Sequence, residues 1–230
     1  MLSFLKQCNK NLHALTIKLV IITIIASLFI VCRVIYRDSL SYAFLIWNIF
    51  LIWLPFYFSL IYTNLKFKSN YSRYITGLLW LVFYPNGPYI LTDFIHLSGY
   101  NFYGDKAFGF PFNSSFSIWY DFFLLSIFVI IGLVLSFISL SIMHKHMEKK
   151  YNCVLGWVFI IVICILSSFA IYIGRFSRVN SWEFVTDPLF LLNVIFSSLN
   201  LQALFFTILF SILIFIFYLT FFIMNKYHSY

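Results

Sequence analysis

The sequence predicts an all-α membrane protein, a polytopic bundle of about six transmembrane helices. Two observations lead to this fold class. Hydrophobic residues make up 63% of the 230-residue chain and charged residues only 10%, against roughly a quarter charged in an ordinary soluble domain. The apolar residues also lie in long runs separated by short polar segments. A soluble globule of this size could not cover so much apolar surface, so the composition excludes a soluble enzyme, a secreted disulfide scaffold and a disordered chain.

Six apolar runs are close to the length of about 20 residues that a spanning helix needs. The third run is interrupted by Pro85-Asn86-Gly87-Pro88. Two prolines three residues apart predict a broken helix, because each removes a backbone donor. We expect residues 1–230 to form a single integral-membrane domain. The predicted spans are 15–32, 42–62, 74–91, 117–142, 153–173 and 201–224.

The segment before the last span carries two patterns that start helices. Asn180 and Glu183 have the spacing of a capping box, with Asn180 as the N-cap and Glu183 reaching back to it. Asp187 followed by Pro188 is typical of an N-cap with proline at the first helical position. We therefore predict a short helix over 189–199, re-entrant or interfacial, ahead of the sixth span.

The basic residues predict the orientation in the membrane. Ten Lys and Arg fall on the side of the N-terminus and five on the other side, so the positive-inside rule places both termini in the cytoplasm. His144 and His146 lie among lysines, which we interpret as a solvated basic loop in contact with lipid headgroups. The net charge of +8 has the same interpretation, and we do not expect nucleic-acid binding.

Five ionisable residues from three separate parts of the chain should share one depth at the predicted outer boundary. With a rise of about 1.5 Å per residue, Asp93 and His96 end the third span, Asp121 begins the fourth, and Arg175 and Arg178 end the fifth. Charges at this depth are costly unless they are paired or face a cavity. We predict that the two aspartates and the two arginines form one charge-paired cluster.

Asp93 and His96 leave two chemistries open. Their three-residue spacing suits a metal pair or an acid–base pair, with Asp121 as a third ligand and Glu183 as a fourth. The alternative is an ion-paired aspartate beside a hydrogen-bonded histidine. We assign no metal or other cofactor, and Asp93, His96 and Asp121 are the weak candidates for metal ligands.

The two arginines also leave two interpretations open. They share a helical face and could bind a phosphate or a carboxylate, as in an anionic lipid headgroup or a lipid-linked glycan, or they could only neutralise the acidic residues. The proline break is either a discontinuous helix that lines a site or a kink capped by the Asn86 side chain. The candidate polar site consists of Asn86, Tyr89, Asp93, His96, Asp121, Arg175, Arg178, Asn180 and Glu183.

Three ordered motifs resemble those of a bacterial family of membrane proteins, the domain of unknown function 1361. They are WLVFYPNGPYILTD at 80–93, WYD at 119–121 and IYIGRFSRVNSW at 171–182, so the likeness covers about 80–188. In the family pattern Gly87 is more usually alanine, Val179 tryptophan and Glu183 aspartate. The resemblance implies a bacterial plasma-membrane location and brings no reaction or substrate.

Three classes of function fit these observations. The first is a non-catalytic envelope or accessory component with an outward-facing polar site. Such a component would bind membrane lipids and, as part of an assembly, another protein. The second is an intramembrane enzyme acting on a lipid or lipid-linked substrate, although no serine, cysteine or threonine nucleophile motif is present. The third is a small transporter, which the lack of a charge in the middle of any span disfavours.

Overall fold

The computed structural model describes residues 2–64, 69–103 and 112–227. Within these ranges the chain is helical and contains no strand, apart from an isolated bridge between Tyr103 and Phe112. The fold class predicted from the composition is confirmed. The α-helices in chain order are α1 Leu2–Arg37, α2 Phe44–Asn64, α3 Asn70–Phe83, α4 Asn86–Tyr89, α5 Phe116–Lys150, α6 Cys153–Phe176, α7 Glu183–Thr186, α8 Pro188–Ser197 and α9 Leu201–Tyr227.

Among the described residues, five helices are long and apolar enough to cross a membrane. They correspond to the first, second, fourth, fifth and sixth predicted spans, and they make the chain a multi-pass membrane protein by length and composition. The third predicted span is the broken one. The membrane-length segments are Leu12–Arg37, Phe44–Thr63, Phe116–Lys150, Cys153–Phe176 and Leu201–Asn225.

The predicted break in the third span is confirmed. Helix α3 has 14 residues and ends at Phe83, and α4 follows at Asn86–Tyr89. A 3-10 helix, Ile90–Leu97, continues the chain. Pro85 and Pro88 cannot donate a backbone hydrogen bond, so the α-helical ladder cannot run through them. The tighter 3-10 turn places residues three apart on the same side, which keeps Asp93 and His96 on one face.

Two helix starts were predicted before the last span; one is confirmed and the other is wrong. Asp187 is the N-cap of α8, its side chain accepts from the Phe190 N–H at 3.0 Å, and Pro188 is the first helical residue, as predicted. The prediction of Asn180 as an N-cap is wrong, because α7 begins only at Glu183 with Trp182 at the cap. Glu183 still reaches back, since its Oε2 accepts from the Asn180 N–H at 3.1 Å.

The interpretation of residues 144–146 as a solvated loop is also wrong. Helix α5 continues to Lys150, and the His144 side chain is fully buried. Its Nδ1 is 2.9 Å from the Tyr218 hydroxyl, and its Nε2 is 3.5 Å from Glu148 Oε1. The neighbouring lysines predicted an exposed side chain. His144 instead lies on the inner face of α5, and the lysines lie on its outer face.

The chain divides into two compact units. Unit 1 comprises Met1–Ile49 and Asp93–Gly132, and unit 2 comprises Phe50–Thr92 and Leu133–Tyr230. In unit 1 the fully buried side chains include Ile30, Leu45 and Leu125. In unit 2, helices α6 and α9 pack together in a core that holds Trp80, Tyr84, Phe137, Leu140, Met143, Ile160, Ile163, Cys164, Ile171, Ile214 and Tyr218.

Candidate functional site

The main charged feature of unit 1 is a buried ion pair between α1 and α5. Arg33 Nε lies 2.5 Å from Asp121 Oδ1, and a terminal guanidinium nitrogen lies 3.0 Å from Asp121 Oδ2. The two side chains are 3% and 1% exposed. A bidentate geometry of this kind gives the strongest arginine–carboxylate contact, so each charge is compensated by the other.

Aromatic residues complete the surroundings of this pair. The Tyr100 hydroxyl donates to Asp121 Oδ2, and the Arg33 guanidinium lies 4.3 Å from the centroid of the Tyr42 ring. Burial raises the pKa of the Tyr42 hydroxyl, Tyr100 and Asp121 raise it further, and Arg33 acts in the opposite direction. Tyr42 therefore stays neutral, and the Arg33–Asp121 pair is enclosed by protein groups that leave little room for a ligand.

Asp93 and His96 differ in their surroundings, although they lie on one 3-10 helix. Asp93 is 1% exposed, and its Oδ2 accepts from Asn48 Nδ2 at 2.8 Å. His96 is exposed, and its ring centroid lies 4.6 Å from that of Phe44. In the part of the chain that the structure describes, no group of three or more His, Cys, Asp or Glu side chains could hold a metal ion. Asp93, His96 and Asp121 thus do not form such a group.

In unit 2 the proline break positions a set of neutral polar groups. The Asn86 side chain donates to the Phe83 carbonyl at 2.8 Å and to the Ser181 hydroxyl at 3.0 Å. The first of these bonds caps α3, whose last carbonyls would otherwise lack a donor next to Pro85. The second joins the break to the segment that follows α6. Asn86 therefore caps the kink and also connects two parts of the candidate site.

Arg175, in the last turn of α6, is held by the segment that follows the break. Its Nε donates to Thr92 Oγ1 at 2.9 Å, and a terminal nitrogen donates to the same oxygen. The Thr92 hydroxyl in turn donates to the Tyr89 carbonyl at 2.7 Å. The guanidinium carbon lies 4.4 Å from the centroid of the Tyr89 ring, within the range of a cation–π contact. These contacts fix the direction of the guanidinium.

Arg178 lies just beyond the end of α6 and has an unusual backbone. Ser177 is the C-cap, and Arg178 follows it with a φ of 57°, in the left-handed region that helices normally fill with glycine. Its side chain is exposed, and among the described residues it makes no hydrogen bond or ion pair. Two residues on, Asn180 donates through its backbone N–H to Glu183, and its Nδ2 lies 3.4 Å from Glu183 Oε1.

Several of the predicted site residues are brought together within unit 2. Unit 2 gathers Asn86, Tyr89 and Arg175 around the break, with Arg178, Asn180 and Glu183 in the segment after α6. Asp93, His96 and Asp121 belong to unit 1, so the single cluster of two aspartates and two arginines stays a prediction.

Sequence reasoning missed five partners of the site residues. Arg33 carried a signal, because a charge inside an apolar helix needs a partner. The four neutral partners carried none, since Asn, Ser, Thr and Tyr are tolerated at many positions of membrane helices. The missed residues are Arg33, Asn48, Thr92, Tyr100 and Ser181.

Comparison with known proteins identifies a family. Residues 47–217 match the family described as "Protein of unknown function (DUF1361)", which is more than half of the chain. The chain belongs to the DUF1361 family. No curated protein and no solved structure matches it. The segment shared with DUF1361 contains Thr92, Asp121, Arg175 and Arg178, whereas Arg33 lies before it.

Proposed function

We propose that this DUF1361 protein is a non-catalytic component of the bacterial plasma membrane that binds an anionic lipid headgroup on the outer side. Arg178 and Arg175 are the residues that contact the headgroup phosphate. The observation that carries the proposal is the exposed Arg178 guanidinium, held on a left-handed backbone directly after a membrane-length helix. The same chemistry would recognise the phosphate of a lipid-linked glycan.

The backbone of Arg178 supports a role in binding rather than in folding. A long side chain in the left-handed region costs of order 1 kcal/mol, and such residues cluster at ligand-binding sites. Glycine is the usual residue after a helix because it avoids this cost. Within the described residues, the Arg178 side chain makes no hydrogen bond or ion pair that would offset this conformational cost. A ligand outside the protein would account for an arginine here.

The depth of the site supports a lipid headgroup as the ligand. The membrane-length segment Cys153–Phe176 ends one residue after Arg175 and two before Arg178, so both guanidinium groups lie at the end of the apolar span. The phosphates of a bilayer lie at this level, next to the hydrocarbon core. Trp182, 36% exposed, is the kind of residue that lies at the headgroup level.

The fixed direction of the Arg175 guanidinium supports specific binding of a phosphate rather than non-specific attraction to the membrane surface. Thr92 and Tyr89 fix the direction of its guanidinium, so part of the entropy of ordering the side chain is lost before a ligand arrives. A planar guanidinium matches the geometry of a phosphate better than a lysine ammonium does, and Arg175 adds its positive charge from a fixed position. Arg178, one helical turn later in sequence, adds a second positive charge.

Lipid retention measured by native mass spectrometry tests the proposal. Purified protein is mixed with micelles that contain equal amounts of phosphatidylglycerol and phosphatidylcholine. We expect the wild type to retain phosphatidylglycerol preferentially. Arg178→Gln should lower this preference by about tenfold, because it removes a positive charge that attracts the net negative headgroup of phosphatidylglycerol more strongly than the zwitterionic headgroup of phosphatidylcholine. Thr92→Val should lower it by less, because it only frees the direction of Arg175.

A matched control separates the site from general charge. Arg37 is exposed at the end of α1, on the same predicted side of the membrane. Arg37→Gln removes the same charge and should leave the preference unchanged. Equal retention of the two lipids by the wild type, or an equal loss in Arg37→Gln and Arg178→Gln, would contradict the proposal.

A further inference from the structure

A second basic region of unit 2 lies at the lysine-rich end of α5, at the other end of α6 from Arg178. Four basic side chains and one tyrosine form it, which we call the basic corner. They come from the end of α2, the first turn of α3 and the last two turns of α5. The members of the basic corner are Tyr62, Arg73, His146, Lys149 and Lys150.

The basic corner is arranged around the Tyr62 ring. The Arg73 guanidinium carbon lies 5.4 Å from the centroid of this ring, and the His146 ring packs edge-on against it with centroids 5.2 Å apart. The Lys150 ammonium lies 4.9 Å from the centroid of the neighbouring Tyr151 ring and is near enough to Tyr62 and Arg73 to interact with their charges. Arg73, Lys149 and Lys150 also act electrostatically on His146. Several positive groups thus surround one aromatic side chain.

Two buried nitrogens of the basic corner lack partners. Within the described residues, Arg73 Nε and His146 Nε2 are shielded from solvent and make no hydrogen bond. Buried polar groups in native proteins nearly always have a partner, so each exception requires an explanation. Arg73 Nε is a donor, and His146 Nε2 is a second donor in the tautomer that carries its proton on that nitrogen. Negatively charged oxygen atoms near the Tyr62 ring would satisfy these donors.

The carboxylates of unit 2 do not neutralise the basic corner. Glu148 is the one acidic residue in α5 after Asp121, and its carboxylate lies 3.5 Å from the Nε2 of the buried His144. It is two residues from His146, and residues two apart on a helix do not face each other. The remaining acids of unit 2 in the sequence, Glu183 and Asp187, begin α7 and cap α8.

We infer that the basic corner binds a phosphomonoester group. A phosphomonoester carries close to two negative charges at neutral pH and has three strong acceptor oxygens, which matches a site of one guanidinium, two ammonium groups and an imidazole. A phosphodiester carries one charge and has fewer free oxygens, so it matches less well. The Arg73 guanidinium and the His146 imidazole contact the phosphate, while Lys149 and Lys150 add attraction from the exposed rim.

Two probes test the inference and distinguish its two sources of ligand. The first is phosphatidic acid, a lipid phosphomonoester, compared with phosphatidylglycerol in mixed micelles by native mass spectrometry. The second is inorganic phosphate, whose binding is measured as protection against thermal unfolding. We expect the wild type to retain phosphatidic acid about tenfold better than phosphatidylglycerol. If inorganic phosphate also protects the protein, the ligand is a soluble phosphate; if only the lipid binds, it is a headgroup.

Matched variants separate the basic corner from its surroundings. Arg73→Gln and His146→Gln should each remove the preference for phosphatidic acid, and two variants guard against one of them failing to fold. Lys145→Gln is the control and should leave this preference intact, because Lys145 is an exposed cation in the same turns of α5. Equal binding of the two lipids with no protection by phosphate, or an equal loss in Lys145→Gln, overturns the inference.

Discussion

Arg33 and Arg178 show how differently one residue type is used in the two units. Arg33 in unit 1 is 3% exposed and is paired with Asp121 through two short contacts. Arg178 in unit 2 is exposed, adopts a left-handed backbone conformation, and makes no hydrogen bond or ion pair within the described residues. Both were placed on the same side of the membrane by the sequence. The comparison teaches that an arginine near the end of an apolar helix can be buried in an ion pair or exposed without one.

The difference follows from where each arginine lies on its helix. Arg33 is one turn inside the end of α1, and its side chain contacts α5 at Asp121. A charge in that position must be compensated within the protein, because the apolar region offers no other partner. Arg178 comes after the last residue of α6, so its side chain can reach the headgroup region. The first arginine holds two helices together, and the second presents its charge.

The largest effect should come from breaking the buried pair of unit 1. Among the described residues, Arg33→Gln leaves the buried Asp121 carboxylate with the Tyr100 hydroxyl as its one side-chain donor. Removing one partner of a buried ion pair typically costs about 3–5 kcal/mol. We expect a loss of this size in the free energy of unfolding, measured by thermal or chemical unfolding in detergent. Arg178→Gln should change stability by less than about 0.5 kcal/mol.

A double variant sharpens this test. Arg33→Gln combined with Asp121→Asn leaves two neutral amides that can hydrogen-bond to each other, so most of the lost stability should return. If the double variant is as unstable as Arg33→Gln alone, the cost arises from packing around the guanidinium stem and not from the stranded carboxylate. If Arg33→Gln has no effect, the contrast between the two arginines fails.

The fold could be predicted from the sequence further than the site could. The spans follow from runs of apolar residues, and the break follows from Pro85 and Pro88, because both signals are local in sequence. The partner of Asp121 is 88 residues away in the chain, and nothing in either helix specifies which helices are neighbours. The sequence predicted Arg175 and Arg178 as the charge partners of the aspartates and did not select Arg33, which the structure pairs with Asp121.

The uncharged hydrogen-bond partners of the site residues could not be predicted from the sequence, for a different reason. Thr92 and Ser181 each accept a hydrogen bond from a predicted site residue, Arg175 and Asn86. A hydroxyl on an apolar helix usually bonds to its own backbone, and the Thr92 hydroxyl also does so. Only the packed structure shows that the same oxygen also accepts from another helix. His144 illustrates the converse case, because its lysine neighbours predicted exposure for a side chain that is fully buried.

An intermediate effect is expected at the break that positions the unit 2 site. A Cβ at Gly87 would lie 2.5 Å from Ser136 Cβ and closer still to its hydroxyl. Gly87→Ala must therefore push α4 away from α5, and overpacking of this kind typically costs about 1–3 kcal/mol. Because Asn86 and Tyr89 move with α4, the preference for phosphatidylglycerol should fall together with the unfolding temperature.

The steric cause can be separated from other effects of the alanine. Ser136→Gly removes the two Ser136 atoms nearest to the new Cβ, at the cost of a glycine inside α5, roughly 1 kcal/mol. In a double-mutant cycle, Gly87→Ala with Ser136→Gly should be more stable than the sum of the two single changes predicts. Simple additivity would show that the close approach between Gly87 and Ser136 does not limit the position of the break.

The smallest effect on stability, and the one opposite in sign, concerns the backbone of Arg178. Arg178→Gly removes the side chain from a left-handed position and should raise the free energy of unfolding by about 0.5–1 kcal/mol, while it abolishes the phosphatidylglycerol preference. Arg178→Ala is the matched control, because alanine keeps the Cβ that makes the conformation costly. It should lose binding without the gain in stability. If Arg178 instead stabilises the fold, both variants should be less stable than the wild type, as expected for Arg33. That result would contradict the difference proposed between the two arginines.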